Sequence, residues 1–169
     1  MTEVDRRAVL VREAFRLEYI TIGWMVIEAG VAIGSGIVAR SVTLLAFGID
    51  SVIELVSAGM LIWRLTVELR HGQSLAEAAE HIASRIGGAL LFALSAYVVL
   101  AAGWGLWTRQ GQEFSWPGLL VSLAAVPIMW VLSRRKRRLA DMLGSRALRA
   151  DAMESIACGW LSVVVLIGL

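Results

Sequence analysis

Residues 41–63 read SVTLLAFGIDSVIELVSAGMLIW, and this stretch decides the architecture of the chain. As a helix rising 1.5 Å per residue it makes a rod of about 34 Å, enough to cross a hydrocarbon layer about 30 Å thick. Arg40 and Arg64 bracket it, and between them the only charged residues are Asp50 and Glu54. A run this long and this apolar predicts a transmembrane helix rather than the core helix of a soluble domain. Insertion into lipid does not explain its two acids.

Working outward, four further stretches have the same character: residues 17–39, 86–107, 117–133 and 147–169. The 169 residues suffice for one compact unit, not for two ordinary domains. They are 58% hydrophobic and 18% charged, with a mean hydropathy of +0.72. Soluble domains carry about 45–50% apolar and about 25% charged residues, so a soluble enzyme and a disordered chain are both excluded. The expected fold is an all-α membrane protein, a polytopic bundle of five transmembrane helices. A net charge of +2 gives no reason to invoke nucleic acid, and the single cysteine, Cys158, excludes an intramolecular disulfide or a Cys-rich metal framework.

Residues 1–16 mix Glu3, Asp5 and Glu13 with four arginines. They lack the charged stub, apolar core and small-residue end of a cleavable signal, and they read as an amphipathic lead-in on the membrane surface. Lys and Arg fall overwhelmingly in this lead-in, the second-to-third linker and the fourth-to-fifth linker, which together hold fourteen of the sixteen. The positive-inside rule therefore places the N-terminus in the cytoplasm, in a bacterial-type inner membrane, with Leu169 outside. Trp104, Trp107 and Trp116 cluster at the outer interface, where indoles belong. Residues 73–85 read as a cytoplasmic extension of the third span with Ala76, Ala79 and Ile82 on one face. The basic run Arg134–Arg138 reads as a topology signal, with binding to anionic lipid as the alternative.

Five carboxylates stand out inside the spans: Glu28, Asp50, Glu54, Asp151 and Glu154. Each costs about 2.5–3.5 kcal/mol at a helix centre on the insertion scale, and no lysine or arginine is expected deep enough to neutralise them. Depths overlap. Glu28 lies about 16 Å from the inner end of its span, Asp50 and Glu54 about 21 and 15 Å from Arg64, and Glu154 and Cys158 about 8 and 14 Å beyond Arg149. Asp50 and Glu54, at i,i+4, share one helical face with Thr43 and Ser57, and Asp151, Glu154 and Cys158 share another. Facing one another, these stripes would form a four-point cage of Asp50, Glu54, Glu154 and Cys158. Carboxylate and thiolate are both anionic ligands that a tetrahedral zinc ion accepts. Asp151 is shallower and suits a helix-start role. His71 and His81 read as surface residues.

Two motifs resemble those of a known family. Residues 36–58, GIVARSVTLLAFGIDSVIELVSA, resemble the second-span signature of the cation diffusion facilitators, divalent-metal exporters in which small residues lead into Asp-Ser-x-x-acid. Residues 149–159, RADAMESIACG, resemble the family's entry to its fifth helix. The resemblance implies an intramembrane metal site at Asp50, Glu54, Glu154 and Cys158, with Glu28 and Asp151 as proton or auxiliary metal sites. It further implies cation efflux by proton-driven alternating access, a homodimer, and no prosthetic group. Glu154 and Cys158 replace the usual His and Asp, so Mn²⁺ or Fe²⁺ stand beside Zn²⁺ as the ion. The family norm is six spans, usually followed by a cytoplasmic metal-binding domain. Here the sequence stops at the fifth span, so a short branch without that domain and a truncated fragment are both expected readings. A non-transporting metal-binding subunit or regulator is the alternative function.

Overall fold

The computed structural model describes residues 3–71, 73–108 and 114–168. They form five helices: α1 (Glu3–Val38), α2 (Val42–His71), α3 (Gln73–Thr108), α4 (Trp116–Leu143) and α5 (Arg146–Gly168), with no strand among the described residues. All five are long and apolar enough to cross a membrane. Large apolar side chains such as Phe92, Leu100, Trp130, Trp160 and Ile167 stay exposed on the outside of the bundle, an arrangement suited to lipid and not to water.

The helices are longer than their lipid-spanning parts. α1 begins at Glu3, so the lead-in and the first span are one continuous helix. Its apolar residues Val11 and Ala14 are buried in the protein core, with Leu10 and Phe15 packed against them. α2 continues past Trp63, and α4 continues past Ser133 through the whole basic run. The basic ends of α1, α2, α3, α4 and α5 therefore pack as a helical assembly. Pro127 lies within α4, which continues beyond it.

Burial follows a seven-residue repeat. On α1 the nearly inaccessible positions are Val11, Ala14, Glu18, Thr21, Met25, Glu28 and Ala32, alternating three and four apart. α4 repeats the pattern through Gly118, Ser122, Ala125, Met129, Leu132, Lys136, Leu139 and Leu143, and α5 through Leu148, Asp151, Ser155, Cys158, Ser162 and Val165. A 3.5-residue period is that of knobs-into-holes packing, which keeps one seam of each helix on its neighbours. The buried acids Glu18, Glu28 and Asp151 occupy these seam positions, so core packing itself fixes them inside.

α1 packs on α2 and α4, and α5 packs on α4, α2 and α3. α3 is the peripheral helix. It buries Ala79, Ala83 and Leu94 but leaves Ile82 exposed, so its inner face is set by Ala79 and Ala83. Gly87 lets it approach α5: a β-carbon there would lie 3.3 Å from that of Ala150. Gly48 does the same between α2 and α1, against the Ile33 backbone and side chain. Nothing crowds Gly30, Gly34, Gly88 or Gly103, so those glycines are not the points of close contact.

Two hairpins share one construction. α1 ends with Arg40 at φ 48°, with the Ser41 N–H donating to Gly36 O and the Arg40 N–H to Ile37 O. α4 ends with Gly144 at φ 65°, and the Ser145 N–H donates to Ala140 O. These left-handed caps satisfy terminal carbonyls. The serine that follows each caps the next helix, Ser41 Oγ accepting from Leu44 N–H and Ser145 Oγ from Leu148 N–H.

Candidate cation site

Six carboxylates are buried on α1, α2 and α5: Glu18, Glu28, Asp50, Glu54, Asp151 and Glu154, each at most 2% exposed. Sequence reasoning overlooked Glu18. At the end of the cluster away from the basic helix ends Glu28 is the hub. Trp24 Nε1 donates to its Oε2 at 2.5 Å, and Ser51 Oγ and Cys158 Sγ donate to its Oε1 at 2.7 and 3.2 Å. These contacts join α1, α2 and α5 at one point. Asp50 lies within electrostatic reach of Glu28, Glu54 and Cys158.

One turn toward the basic end, Ser155 Oγ donates to Glu54 Oε1 at 2.5 Å, so the acidic stripe of α2 does face α5. Glu154 sits on the flank of the cluster turned to α3. Its Oε1 and the Ser57 Oγ lie 3.8 and 4.0 Å from where a β-carbon on Gly87 would be. Of the four residues of the expected cage, Glu54 thus meets α5 through Ser155, and Cys158 meets α1 through Glu28. No three His, Cys, Asp or Glu side chains among the described residues converge as closely as a metal cage requires. Oxygens remain free to accept, however: Asp50 Oδ2, Glu54 Oε2 and both Glu154 oxygens are buried without a hydrogen bond.

Lys136 overturns the expectation that no cation lies deep in the bundle. It is fully buried, with its ammonium 2.5 Å from Asp151 Oδ2 and 3.4 Å from Glu18 Oε2. It also donates to Ser155 Oγ at 3.4 Å. The run Arg134–Arg138 is therefore not a uniform topology signal: the four arginines are exposed, one of them stacked over Trp130, and the lysine turns inward. The reason is periodicity, because Lys136 lies four residues after Leu132 and three before Leu139 on the buried seam. Asp151 likewise is not at a helix start. Ser145 and Glu80 cap α5 instead, Glu80 Oε1 accepting from the Ala147 N–H at 2.6 Å.

Beyond the acids, the basic end holds a second network. Arg64 is buried and pairs with Glu68 at 2.8 Å and Glu80 at 2.7 Å, and Arg7 joins Glu68 at 2.6 Å. His81 is exposed, with its Nδ1 3.3 Å from Arg146 Nη2. The side chain of His71 lies outside the described residues.

Five apolar helices around a carboxylate-lined interior define an integral membrane protein of the ion-handling kind. Residues 19–169 match the cation efflux transmembrane domain, and the chain belongs to the cation efflux family. It is 26% identical over 158 residues to an uncharacterized transporter of Synechocystis sp. (strain ATCC 27184 / PCC 6803 / Kazusa). That alignment covers 89% of this chain and 50% of the relative, so the chain spans about half the relative's length. No solved structure matches it.

Proposed function

We propose that this protein exports a divalent metal cation by alternating access, in exchange for protons. Asp50, Glu54, Glu154 and Cys158 are the ligands, and Glu28 and Asp151 are auxiliary metal or proton sites. The observation that carries the reading is the charge imbalance of the interior. Six buried carboxylates face one buried ammonium there, and the low-dielectric surroundings make such an excess untenable without bound protons or cations. Membership of the cation efflux family supports the same cargo class.

A set of carboxylates and a thiol binds metal only when deprotonated, so metal and protons compete for one place, as exchange requires. The ligands lie on two helices, α2 and α5. Each of the contacts Cys158–Glu28 and Ser155–Glu54 must loosen for these side chains to close around an ion. Zinc suits the thiolate, whereas the carboxylate majority also suits Mn²⁺ or Fe²⁺. The functional unit is a homodimer in the cytoplasmic membrane.

The test is uptake of Zn²⁺, Mn²⁺ and Fe²⁺ into proteoliposomes under an imposed pH gradient, with Asp50→Asn alongside. Gradient-dependent flux that disappears in the variant is the expected result. Metal binding without flux would replace the transporter by a metal-binding subunit, and absence of both would end the proposal.

A further inference from the structure

The Lys136 ammonium sits in a nest of oxygens that resembles a cation site more than a surface ion pair. Three of them surround Nζ: Asp151 Oδ2 at 2.5 Å, Glu18 Oε2 at 3.4 Å and Ser155 Oγ at 3.4 Å. They come from α1 and α5, while the lysine comes from α4. All four side chains are at most 1% exposed. The second oxygens, Glu18 Oε1 and Asp151 Oδ1, accept no hydrogen bond and remain available to a cation. Two carboxylates and a hydroxyl with spare lone pairs form an oxygen donor set of the kind hard or borderline divalent cations take.

We infer that Glu18, Asp151 and Ser155 form a second cation site at the basic end of the acidic interior, and that the Lys136 ammonium is its tethered occupant. The lysine fills the site with a charge that cannot leave. Ser155 couples it to Glu54, because the same hydroxyl accepts from Lys136 and donates to Glu54. On the transport reading given above, a dication moving between the basic end and Glu54 has to exchange with this ammonium. The existence of the site does not depend on that reading.

Removing the lysine side chain vacates the site, so Lys136→Ala is the variant to measure. Zn²⁺, and Mn²⁺ in parallel, are titrated calorimetrically into the detergent-purified chain. Lys136→Ala is expected to bind one more ion per chain than the unmodified protein. The additional ion is lost in Lys136→Ala/Asp151→Asn and kept in Lys136→Ala/Asp50→Asn. Glu18→Gln/Lys136→Ala removes one charge of each sign and preserves the fold if the single variant does not. It too gains the ion, with affinity weaker on the order of tenfold for want of one carboxylate.

An unchanged ion count in both lysine variants overturns the inference, whether or not the Asp50-dependent ion is present. An ion gained in Lys136→Ala when the unmodified protein binds none sustains the second site and removes support for the transport site. Thermal protection of Lys136→Ala by ethylammonium, absent for the unmodified chain, is the metal-independent readout of the same vacancy.

Discussion

Replacing Glu80 by alanine tests whether the basic-end network holds the helices together. Glu80 is held from three directions: it pairs with Arg64 Nε at 2.7 Å and accepts from Ser145 Oγ at 3.0 Å and the Ala147 N–H at 2.6 Å. It thereby ties α3 to α2 and to the start of α5. The Arg64 and Glu80 side chains are 4% and 13% exposed, so the pair lies largely out of water. Breaking a buried pair by removing one partner costs about 3–5 kcal/mol. Arg64 keeps Glu68 at 2.8 Å, which brings its share down to about 2–3 kcal/mol. The lost cap on Ala147 adds about 1 kcal/mol. The total is about 3–4 kcal/mol, or about 10 °C in the unfolding midpoint of a chain of this size.

Arg149–Asp141 supplies the contrast: its separation is 2.6 Å, but its side chains are 62% and 67% exposed. Exposed pairs contribute about 0–1 kcal/mol, so Asp141→Ala should move the midpoint by less than about 3 °C. The molecule provides its own reporter, since Cys158 is its single cysteine and is fully buried. A thiol-reactive fluorogenic dye in detergent therefore reads the opening of the bundle as the sample is heated. Glu80→Gln, which can still accept from Ala147 but carries no charge, should fall between. Equal shifts for Glu80→Ala and Asp141→Ala would refute the argument that burial, not separation, sets the strength of these pairs.

The caps and the proposed sulfur ligand give further measurable outcomes. Gly144→Ala should lower stability by about 1–2 kcal/mol, because φ is 65° there, whereas Arg40→Gly, at φ 48°, should raise it by up to about 1 kcal/mol; the same dye assay measures both. Cys158→Ser should weaken Zn²⁺ binding on the order of tenfold and Mn²⁺ binding far less. Zn²⁺ binding should also weaken between about pH 7.5 and about pH 6, because protons compete with the metal for the proposed ligand atoms; calorimetry in two buffers reads both effects.

The five spans and the acids at Glu28, Asp50, Glu54 and Glu154 were legible because length, hydropathy and charge cost are properties of the sequence itself. Helix ends were not. Hydropathy marks where a helix meets lipid and falls off where the helix leaves it, so α4 looked finished at Ser133 although it runs to Leu143. Treating 134–146 as a linker hid Lys136 among arginines. The signal was present: extending the spacing Met129, Leu132, Lys136, Leu139, Leu143 places the single lysine of the chain on the buried seam. Glu18 was missed in the same way, since it continues the spacing Val11, Ala14, Glu18, Thr21 from a segment read as surface-bound. The cap on α5 could not be read locally, because Glu80 reaches it from a residue 67 positions earlier.

The exchange proposed above needs a strongly bonded interior that can release its contents, and the hydroxyls beside the acids are arranged for that. Ser51 Oγ lies 2.7 Å from Glu28 Oε1 and 3.1 Å from the carbonyl of Phe47, four residues back on its own helix. Ser155 Oγ has the same choice between Glu54 and the carbonyl of Asp151, the latter at 3.3 Å. A buried donor stripped of its partner costs about 1–3 kcal/mol, which would lock each carboxylate to its serine if no second acceptor existed. Here the backbone supplies that second acceptor, so the hydroxyl can turn away when a proton or cation takes the carboxylate. An apolar residue at 51 or 155 would leave the acids with fewer partners, and a long polar one would crowd α1 against α2 at 51 or α2 against α5 at 155. Serine at these positions satisfies both demands, as the proposed exchange of protons and cations at the buried acids requires.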